Sequence, residues 1–174
     1  GPVYELERFG IRVVASPLFV DTMTALGAKP VQLSWADLKP AVAAGVVDGQ
    51  ENPLAIFQAA KLHDSNQKYL TLWGYVADPL IFVVNRQVWE SWSEGDRSLV
   101  REAAIQAAAE EIAMVRKGND AHLRDIRAQG VTVTTLSPQQ KTAFQQATCD
   151  VYTKRAKSIG SDLIAKAEAA VAQR

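Results

Sequence analysis

Ile11-Arg12-Val13-Val14-Ala15, followed directly by Ser16-Pro17-Leu18, is a short β-branched run that meets a capping residue and then a proline. The first part reads as a strand. The second reads as a helix start, because proline suits the first helical position, where the backbone N–H has no partner to lose. Leu18, Val20, Met23 and Leu26 continue that helix and Gly27 stops it. Working outward, Val31-Gln32-Leu33 reads as a second strand. Ser34 then caps a helix beginning at Trp35, with Leu38 and Val42 on one face and Gly45 at its end. Val46-Val47 is a short apolar step, and Asn52-Pro53 opens another helix through Leu54, Phe57, Ala60 and Leu62. Residues 69–73 and 80–84 are two further strand-like runs. A chain that changes element type about every ten residues in this way predicts an α/β layer, a mostly parallel sheet flanked by helices.

Beyond residue 85 the pattern changes. Residues 98–129 are rich in Ala, Glu and Arg, with Leu99, Ala103, Ile112, Val115 and Ile126 at helical spacing, which predicts one long helix that breaks, if anywhere, near Gly118. Gly130 ends it, Val131-Thr132-Val133-Thr134 reads as a lone strand, and Leu136-Ser137-Pro138 begins a helical tail interrupted at Gly160. The sequence shows no internal repeat and no low-complexity linker.

Composition narrows the function. The chain has 174 residues, 48% of them hydrophobic and 22% charged, a globular profile. Nineteen basic residues balance nineteen acidic ones, so no net field gathers a phosphate backbone, and nucleic acid is not an expected partner. No apolar run approaches the roughly 18 residues of a membrane span. Residues 1–15 mix charged and apolar positions, unlike an export signal, which maturation would in any case remove. Gly1-Pro2 has the look of a protease scar.

Reactive chemistry is sparse. The sequence contains no glycine-rich phosphate loop, no nucleophile elbow and no helical pair of histidines at metal spacing. His122 is expected on a solvated helix face, and His63 near a helix end, where a cation suits the dipole. Cys149, the single cysteine, sits among Phe144, Ala147, Val151 and Tyr152 and is expected to be a small buried filler rather than a reactive thiol. Asp48 and Glu51 could form an acid/base pair. Their setting, Val47-Asp48-Gly49-Gln50-Glu51-Asn52-Pro53, speaks first for turn chemistry, with Asp and Asn bonding nearby backbone and Gly49 free to take positive φ.

The decapeptide Gly45-Val46-Val47-Asp48-Gly49-Gln50-Glu51-Asn52-Pro53-Leu54 closely resembles the signature of the DctP-type solute-binding proteins of TRAP (tripartite ATP-independent periplasmic) transporters. Gly10-Ile11-Arg12-Val13 resembles that family's strand bearing a ligand-binding arginine. Ala25-Leu26-Gly27-Ala28, Leu33-Ser34-Trp35-Ala36-Asp37-Leu38, Lys68-Tyr69-Leu70-Thr71-Leu72, Asp78-Pro79 and Val88-Trp89 match it in type and order.

The resemblance implies a periplasmic protein, not an enzyme, that captures a small organic acid and passes it to TRAP membrane permease subunits. It implies that Arg12 anchors the carboxylate. A guanidinium suits that task, since its planar fork takes a carboxylate by two parallel bonds and keeps its charge. Otherwise Arg12 would be a surface ion pair with Glu5 or Glu7. By the same resemblance Asn52 reaches the ligand with its amide, and Trp35 forms an apolar wall, or else serves as a core aromatic. Gln50 and Glu51 contact the ligand, hold the loop or orient Arg12. Some relatives bind a metal at this loop; Glu51-Asn52 does not supply the expected ligand set, so neither metal nor cofactor is predicted. Trp73, Trp89 and Trp92 are assigned to packing.

Family members carry two α/β lobes that close on the ligand. By resemblance, residues 1–9 are a linker or residues added for expression, 10–85 are the second lobe, and 86–174 are a long helix, strand and C-terminal helices returning toward the hinge and the first lobe. The N-terminal lobe is then absent. Helices that brace it would show apolar faces, including parts of 131–151, and the truncated chain is expected to self-associate or to be disordered. Two other classes remain: a helical interaction module built on residues 98–174, and a small hydrolase using Asp48 and Glu51. The first lacks a sustained heptad seam and the second an activated nucleophile.

Overall fold

The computed structural model describes residues 3–74, 76 and 79–172, with backbone alone for residues 3–5; Gly1-Pro2 and Asp78 lie outside the described residues. Where a linker is expected, Val3–Arg8 forms a 3-10 helix whose Leu6 packs against the cluster of Val13, Met23, Leu26 and Ala28. The alternating region then gives strand β1 (Gly10–Val13), helix α1 (Pro17–Ala25), β2 (Lys29–Gln32), α2 (Trp35–Ala43), β3 (Gly49–Gln50), α3 (Leu54–Ala59) and β4 (Tyr69–Leu72). A 3-10 turn, Leu62–Ser65, separates the last two. It begins after Lys61, whose φ of 50° stops the helix expected to run through Leu62. After residue 85 come α4 (Arg86–Ser91), α5 (Glu94–Ala128), β5 (Thr132–Thr135), α6 (Pro138–Ile159) and α7 (Ser161–Ala172).

The strands form two parallel sheets, one in the order β2-β1-β3 and one pairing β4 with β5. Each strand presents alternate residues to opposite faces. Ile11 and Val13 join Met23, Leu26 and Ala28 in a cluster that α6 covers with Phe144 and Ala147. On the other face Val31 and Leu33 pack with Leu38 and Val42 of α2, Phe57 of α3, Leu62 and Ile126 of α5. The lobe is thus helix, parallel sheet, helix, as predicted.

Three local signals act differently from the sequence reading. Ser16 stands at the α1 N-cap without a side-chain cap bond, whereas Ser34 caps α2 by accepting from Asp37 N at 3.3 Å. Gly49 is a strand residue, not a positive-φ turn. A Cβ there would lie 3.1 Å from Ile11 Cδ1, so the glycine allows close approach of β3 to β1. Residues 80–84 form no strand; Leu80, Ile81, Phe82 and Val83 are 73 to 90% exposed. A strand needs a neighbour for its N–H and C=O groups, and no described strand runs beside this run.

The second half belongs to the same core. Helix α5 passes through Gly118 unbroken, and its end delivers fully buried Ile126 and Val131 to the cluster under α2 and α3. The strand expected to stand alone, β5, pairs in register with β4, Tyr69 opposite Thr132. The run 131–151, expected to show apolar faces, buries Val131, Leu136 and Val151 within this chain. The bare apolar surface lies instead on 80–83 and along α5, at Leu99, Ile105 and Met114. Cys149 is exposed rather than buried. Phe144, Ala147 and Val151 define the inward stripe of α6 at three- and four-residue spacing, and Cys149 falls off it.

Candidate functional site

Parallel strands send their following loops to the same edge of the sheet. At that edge the β2-β1-β3 sheet gathers the turn 33–35, Arg12 near the end of β1, and the loop 51–53. Register sets Arg12 opposite Val31 on one side and opposite Gln50 on the other. Leu33 and Asn52, two residues beyond those partners, come to the same face.

Arg12 is 2% exposed, so a surface ion pair does not describe it. Its Nε donates to the carbonyl oxygen of Leu33 at 3.0 Å. That bond fixes the plane of the guanidinium, whose two terminal nitrogens form the prongs of the fork. Burial lowers the Arg12 pKa from its ordinary value, and the nearby Glu51 carboxylate opposes that shift. The group stays cationic at neutral pH. A guanidinium buried this far is stabilised by an anionic partner, and the Glu51 carboxylate is the nearby one.

Beside it, Asn52 Nδ2 donates to Gln50 Oε1 at 2.5 Å. The two amides form a fixed pair, half-buried like Glu51. Trp35 opens α2 directly after the turn that holds Arg12 and is 51% exposed, which excludes the core-aromatic reading. The structure therefore brings Arg12, Gln50, Glu51 and Asn52 together, with Trp35 at the adjacent helix start.

Asp48, one half of the candidate acid/base pair, is engaged in a structural bond. Asp48 Oδ2 accepts from Gly10 N at 2.7 Å, a cross-strand bond rather than the local turn bond expected. Neither that contact nor the Leu33 carbonyl was legible from spacing, because both join main-chain atoms to residues 21 and 38 positions away. His122 is likewise not simply solvated: its Nδ1 makes a short hydrogen bond with Gln58 Oε1, and Gln58 Nε2 donates to Asp125 at 2.9 Å, tying α3 to α5. His63 Nε2 lies 3.1 Å from Asp64. Among the described residues no three His, Cys, Asp or Glu side chains group as a metal site, and no helix is long and apolar enough to cross a membrane. A concavity of about 410 Å³, lined by Phe82, Val84, Arg86, Trp89, Val100, Arg101 and Ala104, shares no residue with the Arg12 site.

A parallel α/β lobe that gathers its loops at one sheet edge is an architecture suited to holding a ligand there. Residues 3–158 match the model of the bacterial extracellular solute-binding proteins, family 7 (DctP), and the chain belongs to that family. It is 52% identical to a TRAP periplasmic solute-binding protein from Ralstonia eutropha H16, solved with bound (S)-2-acetolactate. That similarity has a TM-score of 0.95 over 99% of this chain and 56% of the other. It is 31% identical over 146 residues to the ectoine-binding periplasmic protein TeaA of Halomonas elongata, covering 83% of this chain and 42% of TeaA. It is 26% identical over 164 residues to the C4-dicarboxylate-binding periplasmic protein DctP of Rhodobacter capsulatus, covering 94% and 49%. The chain spans about half the length of the curated relatives it matches.

Proposed function

We propose that this chain is the carboxylate-anchoring lobe of a periplasmic TRAP solute-binding protein. The intact protein captures a small organic acid and delivers it to the membrane permease for ion-gradient-driven uptake. The observation that carries this reading is the buried Arg12 guanidinium, held at Nε by Leu33 on a strand whose register sets Arg12 opposite Gln50, the partner of Asn52. Arg12 takes the carboxylate through its terminal nitrogens. Asn52 and Gln50 supply neutral hydrogen bonds, Glu51 holds the guanidinium in place, and Trp35 walls one side of the ligand. Given the 52% identity to a protein solved with 2-acetolactate, a short acid with an adjacent hydroxyl or oxo group is the first candidate.

In this reading a second lobe, supplied by further chain of the intact protein, closes over the site. The bare run 80–83 and exposed apolar residues of α5 seat it, since such surfaces are usually covered. The protein binds and releases its ligand without chemistry: Asp48 is committed to Gly10 N, and the helical half is continuous with the lobe core through Ile126 and Phe144.

A thermal-shift panel on the full-length protein tests this, using 2-acetolactate, pantoate, D-erythronate, glucuronate and a C4-dicarboxylate. An acid that binds the folded state raises Tm by mass action, by about 2.7 kcal/mol of stabilisation at a hundred times its Kd. A clear shift with at least one acid is expected. A folded protein that none of them shifts contradicts the proposal.

A further inference from the structure

We infer that Asp48 is a positioning residue for acid binding, setting the register between the strand that carries Arg12 and the strand and loop that carry Gln50, Glu51 and Asn52. The inference rests on the reading of the Arg12 site given above. Strand β3 is two residues long and meets β1 only at Ile11 and Arg12. So short a ladder specifies its own register weakly, and a slip of one residue turns every side chain to the opposite face. Gln50 would then leave the face that Arg12 occupies.

Asp48 lies immediately before this ladder and holds it from three sides. Its backbone N donates to Gly10 O at 2.8 Å. Its Oδ2 accepts from Gly10 N at 2.7 Å, so one residue satisfies both polar groups of Gly10. Its carbonyl accepts from Gln67 Nε2 at 3.2 Å, tying the same point to the turn before β4. Gly10 and Asp48 stand two residues before Arg12 and Gln50, so the clamp fixes the pair that faces the ligand. The Asp48 side chain is exposed, and no part of the hydrophobic core depends on it.

The test is a double-mutant cycle on the full-length protein, titrated calorimetrically with 2-acetolactate. Asp48→Ala weakens binding about tenfold, equivalent to about 1.4 kcal/mol. Asp48→Asn keeps an acceptor of the same length and stays within about threefold of the parent, a change of under one kcal/mol. In the Arg12→Lys background Asp48→Ala has little further effect, because the fork it positions is gone. A residue that merely supported folding would lower Tm while leaving affinity alone, or would weaken binding equally in both backgrounds; either result overturns the inference. Should Asp48→Ala not fold, Asp48→Glu serves in its place. Its longer arm moves the acceptor away from Gly10 N, so parent-like affinity in that variant also overturns it. If the parent binds and Arg12→Lys weakens binding while Asp48→Ala does not, this inference alone fails. If the parent binds none of the acids in the panel, the reading of the site fails and this inference falls with it.

Discussion

Arg12 Nε donates to the carbonyl of Leu33 at 3.0 Å, so the cation of β1 is held by the last residue before the cap of α2. That bond couples the charge to a short segment of chain. Leu33 N in turn donates to Val13 O at 3.3 Å, extending the β1–β2 ladder past its last paired residues. Ser34 then caps the helix, and Trp35 follows with half its surface uncovered.

Trp35→Ala should therefore weaken binding without unfolding the lobe. A half-exposed indole has on the order of 100 Å² left to cover, so contact with the ligand contributes about 1–2 kcal/mol. Calorimetric titration should show roughly a five- to thirtyfold loss of affinity. The melting temperature should stay close to the parent's, because a core aromatic would be buried and Trp35 is not.

A second prediction concerns acid. Asp21 on α1 accepts from Lys154 Nζ at 3.0 Å and from Arg155 Nη2, both on α6. The hydrogen bonds from Lys154 and then Arg155 lower the Asp21 pKa below its ordinary value. The folded state thus binds fewer protons than the unfolded chain in the carboxylate range, and the contact stabilises above the unfolded pKa of about 4. That stability is lost as pH falls through the lowered folded pKa. Asp21→Asn should lower Tm at neutral pH, and the gap to the parent should close progressively in acid. A gap that is constant with pH would contradict the assignment.

Much of the lobe was legible because its signals are local. Ser34, Gly27, Gly45 and Gly130 end or begin elements where expected, with the three glycines at positive φ. Helix α5, rich in the strong helix formers Ala, Glu and Arg, runs through Gly118. What local pattern could not show was pairing. Residues 80–84 have strand composition but no described strand beside them, while 132–135 found a partner in β4 across about sixty positions. The site divided in the same way. Arg12, Gln50, Glu51 and Asn52 came from the resemblance, and parallel register brings them together. The Gly10–Asp48 bond and the Leu33 carbonyl are long-range main-chain contacts without a residue-type signature.

The uncovered run 80–83 and the exposed apolar residues of α5 predict association of the isolated chain. Sedimentation velocity should show species larger than a monomer, increasing with concentration. Ile81→Lys together with Phe82→Asp should shift the distribution toward monomer. A parent chain that stays monomeric across micromolar concentrations would mean these surfaces need no cover.

The measurement that bears most directly on the central claim is calorimetric titration of the full-length protein and its Arg12→Lys variant with 2-acetolactate, or with whichever acid the panel favours. Lysine keeps the charge but has no fork, and it cannot hold the Leu33 carbonyl while presenting two further donors in one plane. Arg12→Lys should remain folded and lose about 2–4 kcal/mol of binding, the scale for disrupting a buried charged pair at a binding site. Asn52→Ala should lose less, about 1–2 kcal/mol, because a neutral hydrogen bond is removed. Arg12→Lys binding as tightly as the parent would contradict the account, because the carboxylate anchor would then lie outside this lobe.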